Sequence, residues 1–128
     1  MKKLLIKILI AFSALAVSPF AVAEQKLDIM QIMGQFVQAN HAASKCIKPD
    51  QKTLSSFLSN FRVVTVRAVE ELKKQNPGQS EQQIVDGLKQ RTGVVEKMID
   101  DTIRANSCSD PRIQDLLKRF EMQANLKF

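Results

Sequence analysis

The sequence predicts an all-α fold, a small disulfide-stapled bundle of four or five helices, and three observations carry that expectation. Apolar residues recur at spacings of three and four along most of the chain. Each apolar stretch is bounded by capping residues on one side and helix breakers on the other. The only two cysteines, Cys46 and Cys108, stand at expected helix ends.

The first element comes from "KLDIMQIMGQFVQANHAASKC". Ile29, Met33, Phe36 and Val37 share one side, and Met30 and Ile32 widen the stripe, so a helix over about 27–44 is expected. "IKPD" ends it, because the residue before Pro49 is pushed out of the α region.

Asp50 can cap the second segment, in which Leu54, Phe57, Leu58, Phe61, Val64, Ala68 and Leu72 keep helical spacing. Its middle, "FRVVTVRAV", is rich in β-branched residues and alone would pass as a strand. The periodicity on both flanks decides for helix. Val63, Val66 and Val69 add a second apolar flank, which predicts burial on more than one side. Lys73 and Lys74 suit the carbonyl end of the dipole, and "NPG" ends the segment.

Ser80 and Gln83 have capping-box spacing and open a third helix with Ile84, Val85 and Leu88. Val95, Met98, Ile99, Thr102 and Ile103 continue the stripe, with a kink or short break expected at "RTG" around Gly93. Asp110 then caps and Pro111 takes the first helical position, where its missing N–H is harmless. Ile113, Leu116, Leu117 and Phe120 form the inner face of a last helix reaching about residue 124.

The start of the chain reads as an export signal. Lys2, Lys3 and Lys7 precede an apolar run over Ile8 to Val17, and Ala21-Val22-Ala23 has the small-x-small pattern of a cleavage site. The apolar run is shorter than the roughly 20 residues a membrane span needs, and no cysteine follows the cleavage point to take a lipid. Residues 1–23 are therefore expected to be removed, leaving 24–128 as a single helical domain in the bacterial periplasm with no stable membrane anchor. Three of the nineteen Lys and Arg leave with the signal. Sixteen basic residues then face thirteen acidic ones, and the +6 of the whole chain becomes +3. That balance, with no basic run longer than two, argues against a nucleic-acid partner.

An even pair of cysteines in an exported chain is expected to oxidise, so Cys46 and Cys108 are read as a structural disulfide. There is no C-x-x-C to suggest redox work. His41 is the single histidine and has no carboxylate within a helical turn, which reads as an ordinary polar position. Glu96 and Asp100 are four apart, but Arg104 follows Asp100 by four, Lys97 precedes Asp101 by four and Glu70 precedes Lys74 by four. These are the pairings of solvated helix faces. No metal set, cofactor loop or Ser–His arrangement is legible, so neither an enzyme nor a cofactor is expected.

The first helix carries no charge between Asp28 and Lys45. Gln31, Gln35 and Gln38 lie near one face, Gly34 permits close approach, and Met30 and Met33 beside Phe36 offer adaptable apolar surface. Two readings follow: a central position in the bundle, or a partner-binding or homodimer surface, where charge depletion is the compositional sign.

Residues 94–120, "VVEKMIDDTIRANSCSDPRIQDLLKRF", have a helix–cysteine–helix layout that resembles the small acid-resistance chaperones of the periplasm. The chain departs from that pattern after the first cysteine, where "CIKPDQKTLSSFL" is basic and proline-broken instead of acidic and aromatic-containing, so no residue role is carried over. The expected function is that of a small exported binding protein, an inhibitor or immunity-type protein acting by protein–protein contact. The alternative is a periplasmic stress or acid chaperone that holds unfolded clients.

Overall fold

The computed structural model describes residues 28–128; the signal peptide read in residues 1–23 lies outside the described residues. Four helices and no strand occupy them: α1 (Ile29–Cys46), α2 (Gln51–Gln75), α3 (Glu81–Asn106) and α4 (Pro111–Ala124).

Every helix starts on a side-chain cap that satisfies an otherwise free backbone donor. Asp28 accepts from the Met30 N–H at 2.9 Å and Asp50 from the Thr53 N–H at 2.8 Å. Ser80 and Gln83 form the reciprocal capping box, at 3.2 and 2.9 Å. Asp110 accepts from the Arg112 N–H at 2.8 Å, with Pro111 in the first turn.

The β-branched middle of α2 is helical throughout, because Phe57, Val64 and Ala68 fall on one buried line and their burial outweighs weak local propensity. The second flank of α2 is covered in part: Val63 and Val69 are half-buried, Val69 against the core, whereas Val66 is exposed, as is Leu58. Helix α3 runs without a break through Gly93, contrary to the break expected at "RTG". A glycine lowers helix stability without abolishing it, and here buried residues on both sides, Leu88 and Ile99, hold the two halves in one rod. Met98 faces outward, off the stripe.

Helices α1 and α2 both pack against all the others, α1 most extensively, whereas α3 and α4 barely meet, so α1 is the centre of the bundle. Its alanines Ala39, Ala42 and Ala43 are fully or almost fully buried, and their small side chains let the neighbouring helices approach. The main core joins Phe36 and Val37 to Phe57 and Val64 of α2, Ile84 and Leu88 of α3, and Phe120 of α4. Its centre is aromatic: Phe57 stacks on Phe120 at 4.3 Å between centroids and lies 5.4 Å from Phe36.

A second, smaller core gathers around the disulfide, where Ala42, Ile99 and Ile113 pack with Ile103, Leu116, Cys46 and Cys108. The Cys46–Cys108 bond closes there, its Cα atoms 5.7 Å apart. Ser107 has φ 66° and ψ 178°, a positive-φ extended conformation otherwise almost reserved for glycine, and it ends α3 just before Cys108. The Ser107 hydroxyl, paired with Ser109 Oγ at 2.7 Å and accepting from the Ser109 N–H at 3.2 Å, holds that conformation.

Candidate functional site

The charge-free helix contributes to four surface features, one of them a groove that Met33 and Val37 share with α2 and α3. Met30, Gln31, Met33 and Gly34 line one side of a groove of about 280 Å³. Leu88, Arg91, Thr92 and Val95 of α3 line the other. Gln35 and Phe36 open onto a second and larger groove, about 640 Å³. Gln38 faces a shallow, open depression beside Pro111, Arg112, Leu116 and Arg119. The seven residues read as one partner surface are thus dispersed around α1. Met33 and Phe36 are corrected most sharply: at 7% and 1% exposure they belong to the core. Gln31 and Gln35 are the exposed members.

The second groove presents the larger apolar surface. Ile32 and Phe36 form its floor with Gln123, and Met122, Leu126 and Phe128 supply exposed apolar walls, Met122 at 67% exposure. Helix α4 ends at Ala124 and the chain then folds back over α2. Asn60 of α2 ties it there, its amide donating to the carbonyls of Gln123 at 2.8 Å and Leu126 at 3.0 Å. The Arg67 guanidinium sits 5.5 Å from the Phe128 ring centre, a cation–π contact that fixes the last residue. Asp115, Lys118 and Arg119 make the polar rim. Asp115 accepts from Arg119 at 3.0 Å, and Lys118 makes no ion pair among the described residues. The sequence pattern stopped at residue 124 and so passed over the part of the wall that lies beyond it.

His41 is also not the isolated polar residue its neighbours in sequence suggest. Its Nε2 donates to Asp100 Oδ1 at 2.7 Å, and its Nδ1 lies 3.9 Å from Glu96 Oε2, with the ring only 14% exposed. The His41 hydrogen bond holds the Asp100 carboxyl below the usual carboxylate range, against desolvation, and attraction to His41, Lys45 and Arg104 adds to it. Asp100 therefore pairs across helices, and Arg104 turns to Asp101 instead, at 3.1 Å. Because the two carboxylates face different ring nitrogens, they flank the imidazole and the three groups do not converge on a common point. Among the described residues no cluster has the make-up of a metal site.

Asp110 forms the third polar centre, at the disulfide corner. It is buried, and it accepts from the Arg112 side chain at 3.0 and 3.1 Å and from Asn106 at 3.1 Å. These bonds, with the Arg112 backbone N–H, lower its pKa to about 2. The corner is a rigid joint, with every oxygen of the cap in use.

Among the described residues no helix is long and apolar enough to cross a membrane. No protein-family model matches the chain, and no curated protein or solved structure is detectably similar to it, so its likeness to the periplasmic acid-resistance chaperones is one of layout alone.

Proposed function

We propose that this chain is a small exported binding protein, an inhibitor or immunity-type protein that acts by contact with another protein. The observation that carries the reading is the apolar-walled groove between α1, α4 and the C-terminal segment, whose exposed Met122, Leu126 and Phe128 are clustered and braced in place. Clustered apolar surface with a polar rim is the usual make-up of a protein contact site. The disulfide and the four capped helices support the same reading, because a rigid frame spares a binding surface the entropy of ordering.

An alternative is a chaperone that works in acid. The observation favouring it is that Asp50, Asp100 and Asp110 all bind hydrogen-bond donors as carboxylates, with pKa values lowered by those bonds. Such contacts stabilise the fold above the ordinary carboxylate range and are lost as pH falls through the lowered values. Loosening of α2, α3 and α4 in strong acid would then expose client-binding surface.

Pull-down with the mature chain from a periplasmic extract, at neutral and acid pH, tests both. One stoichiometric partner at neutral pH is expected for the inhibitor. A heterogeneous set that increases in acid would replace that reading with the chaperone, and no partner under either condition would refute both.

A further inference from the structure

Gln123 Oε1 is, among the described residues, the only buried side-chain oxygen or nitrogen without a hydrogen-bond partner. The residue is 7% exposed and lines the groove between α1, α4 and the C-terminal segment. Its backbone carbonyl is held by Asn60, so the side chain springs from a fixed point in the last turn of α4. A buried acceptor with no donor costs stability, and leucine there would not carry that cost. Polar groups kept under such a penalty, in a groove walled by apolar side chains, are characteristic of binding sites.

We propose, building on the binding-protein reading, that the groove receives an extended segment of a partner protein. The segment places apolar side chains among the exposed Met122, Leu126 and Phe128, draws the Gln123 amide outward so that its Oε1 accepts a backbone N–H, and carries acidic residues toward Lys118. Three observations select that occupant. The volume, about 640 Å³, lies within the range of built ligand sites. A peptide group has both a donor and an acceptor, so it satisfies the Gln123 amide whichever way the amide is turned. An extended segment has free N–H groups, whereas a helix spends all but its first few on its own carbonyls.

Charge selects the acidic flank. Arg119 is neutralised by Asp115, which leaves Lys118 as the uncompensated charge on the rim, and Arg67 adds a second positive charge where Phe128 ends the wall. A second copy of this chain fits poorly, since a two-fold contact centred on the groove would set Lys118 near Lys118. A fatty acid could pair its carboxylate with Lys118 but brings no donor for Gln123 Oε1.

The test is selection of a random-peptide phage library on the purified chain, followed by fluorescence anisotropy with the enriched peptides. Enriched sequences should combine large apolar residues with Asp or Glu. Gln123→Leu should weaken binding about tenfold, a loss of about 1.4 kcal/mol, while its unfolding temperature stays the same or rises. A merely structural glutamine would not separate those two readouts. N-methylation of one peptide bond should cost about as much in the wild type and nothing further in Gln123→Leu. Lys118→Glu should weaken binding several-fold, and Arg91→Glu, in the α1–α3 groove, should leave it unchanged.

Failure to enrich any peptide, enrichment of basic or purely polar ones, or equal binding by Gln123→Leu would overturn the proposal. So would a concentration-dependent dimer abolished by Met122→Glu, or dodecanoate saturating the site with dependence on Lys118 but not on Gln123. Capture of one stoichiometric partner alongside any of these results would leave the binding-protein reading in place and remove this site alone.

Discussion

Asp110 is where a single residue does most in this chain. It caps α4, grips the Arg112 side chain and receives Asn106 from the end of α3, so one carboxylate joins two helices beside the disulfide. Its pKa of about 2 fixes the sign of a pH effect. The carboxylate contributes stability above the unfolded value of about 3.9, and that contribution is lost as pH falls through about 2. Urea midpoints should therefore drop between about pH 4 and pH 2. Asp110→Asn should start lower at neutral pH and fall less steeply across the same window; parallel curves would show that Asp110 does not carry the effect.

His41 shows how a residue can be misread from its neighbours in sequence. Its partners are 55 and 59 positions away, so local spacing holds no sign of them. The disulfide does. His41 stands five residues before Cys46 and Asp100 eight before Cys108, and both helices run into the same corner. At 1.5 Å of rise per residue His41 lies about 7.5 Å from the end of α1 at Cys46 and Asp100 about 9 Å from the end of α3 at Asn106, so the two stand at similar heights beside the bridge. Treating the two cysteines as a register mark would have brought the pair together.

At the scale of elements, caps and breakers were the legible signals, because each is a local bond between residues two or three apart. Asp50, the Ser80–Gln83 box and the Asp110-Pro111 start all behave as their spacing implies. The misjudged points depend on tertiary packing. Gly93 looked like a break because propensity is local, yet Leu88 and Ile99 are buried on either side of it. A Cβ added at Gly93 meets nothing within 4 Å, and its φ is not positive. Gly93→Ala should raise stability by about 1 kcal/mol, read as a higher urea midpoint with unchanged slope. A loss of stability would mean that the helix needs glycine there for a reason other than propensity.

Periodicity likewise marked α1 as apolar on one side but could not say how many neighbours would claim the rest. With α1 central, its uncharged surface is divided among four features of the surface, and only Ile32, Gln35 and Phe36 reach the groove with the exposed apolar walls. The remaining walls come from residues 122 to 128, which continue past the last apolar repeat and are placed by Asn60 and Arg67. No period announces a segment held by one amide and one guanidinium.

For the molecule as a whole, two cores pack on α1, an aromatic-centred one that runs along most of its length and a smaller one clamped by the disulfide. A bridge closing 62 residues restricts the unfolded chain by about 4 kcal/mol on the loop-entropy model, a large share of what a domain of this size holds. Replacing Cys46 and Cys108 together by serine should lower the free energy of unfolding by about 2–5 kcal/mol in denaturant titrations. A loss under about 1 kcal/mol would place the stability in the aromatic core alone.

Binding through the groove beside α1 and α4 is the central claim, and position-resolved photo-crosslinking in the intact cell tests it most directly. A photoreactive residue at Gln35 or Met122 should give one adduct of defined mass, and the same residue at Glu70, on the exposed face of α2, should give none. Equal adducts at all three positions, or none at Gln35 and Met122, would contradict it.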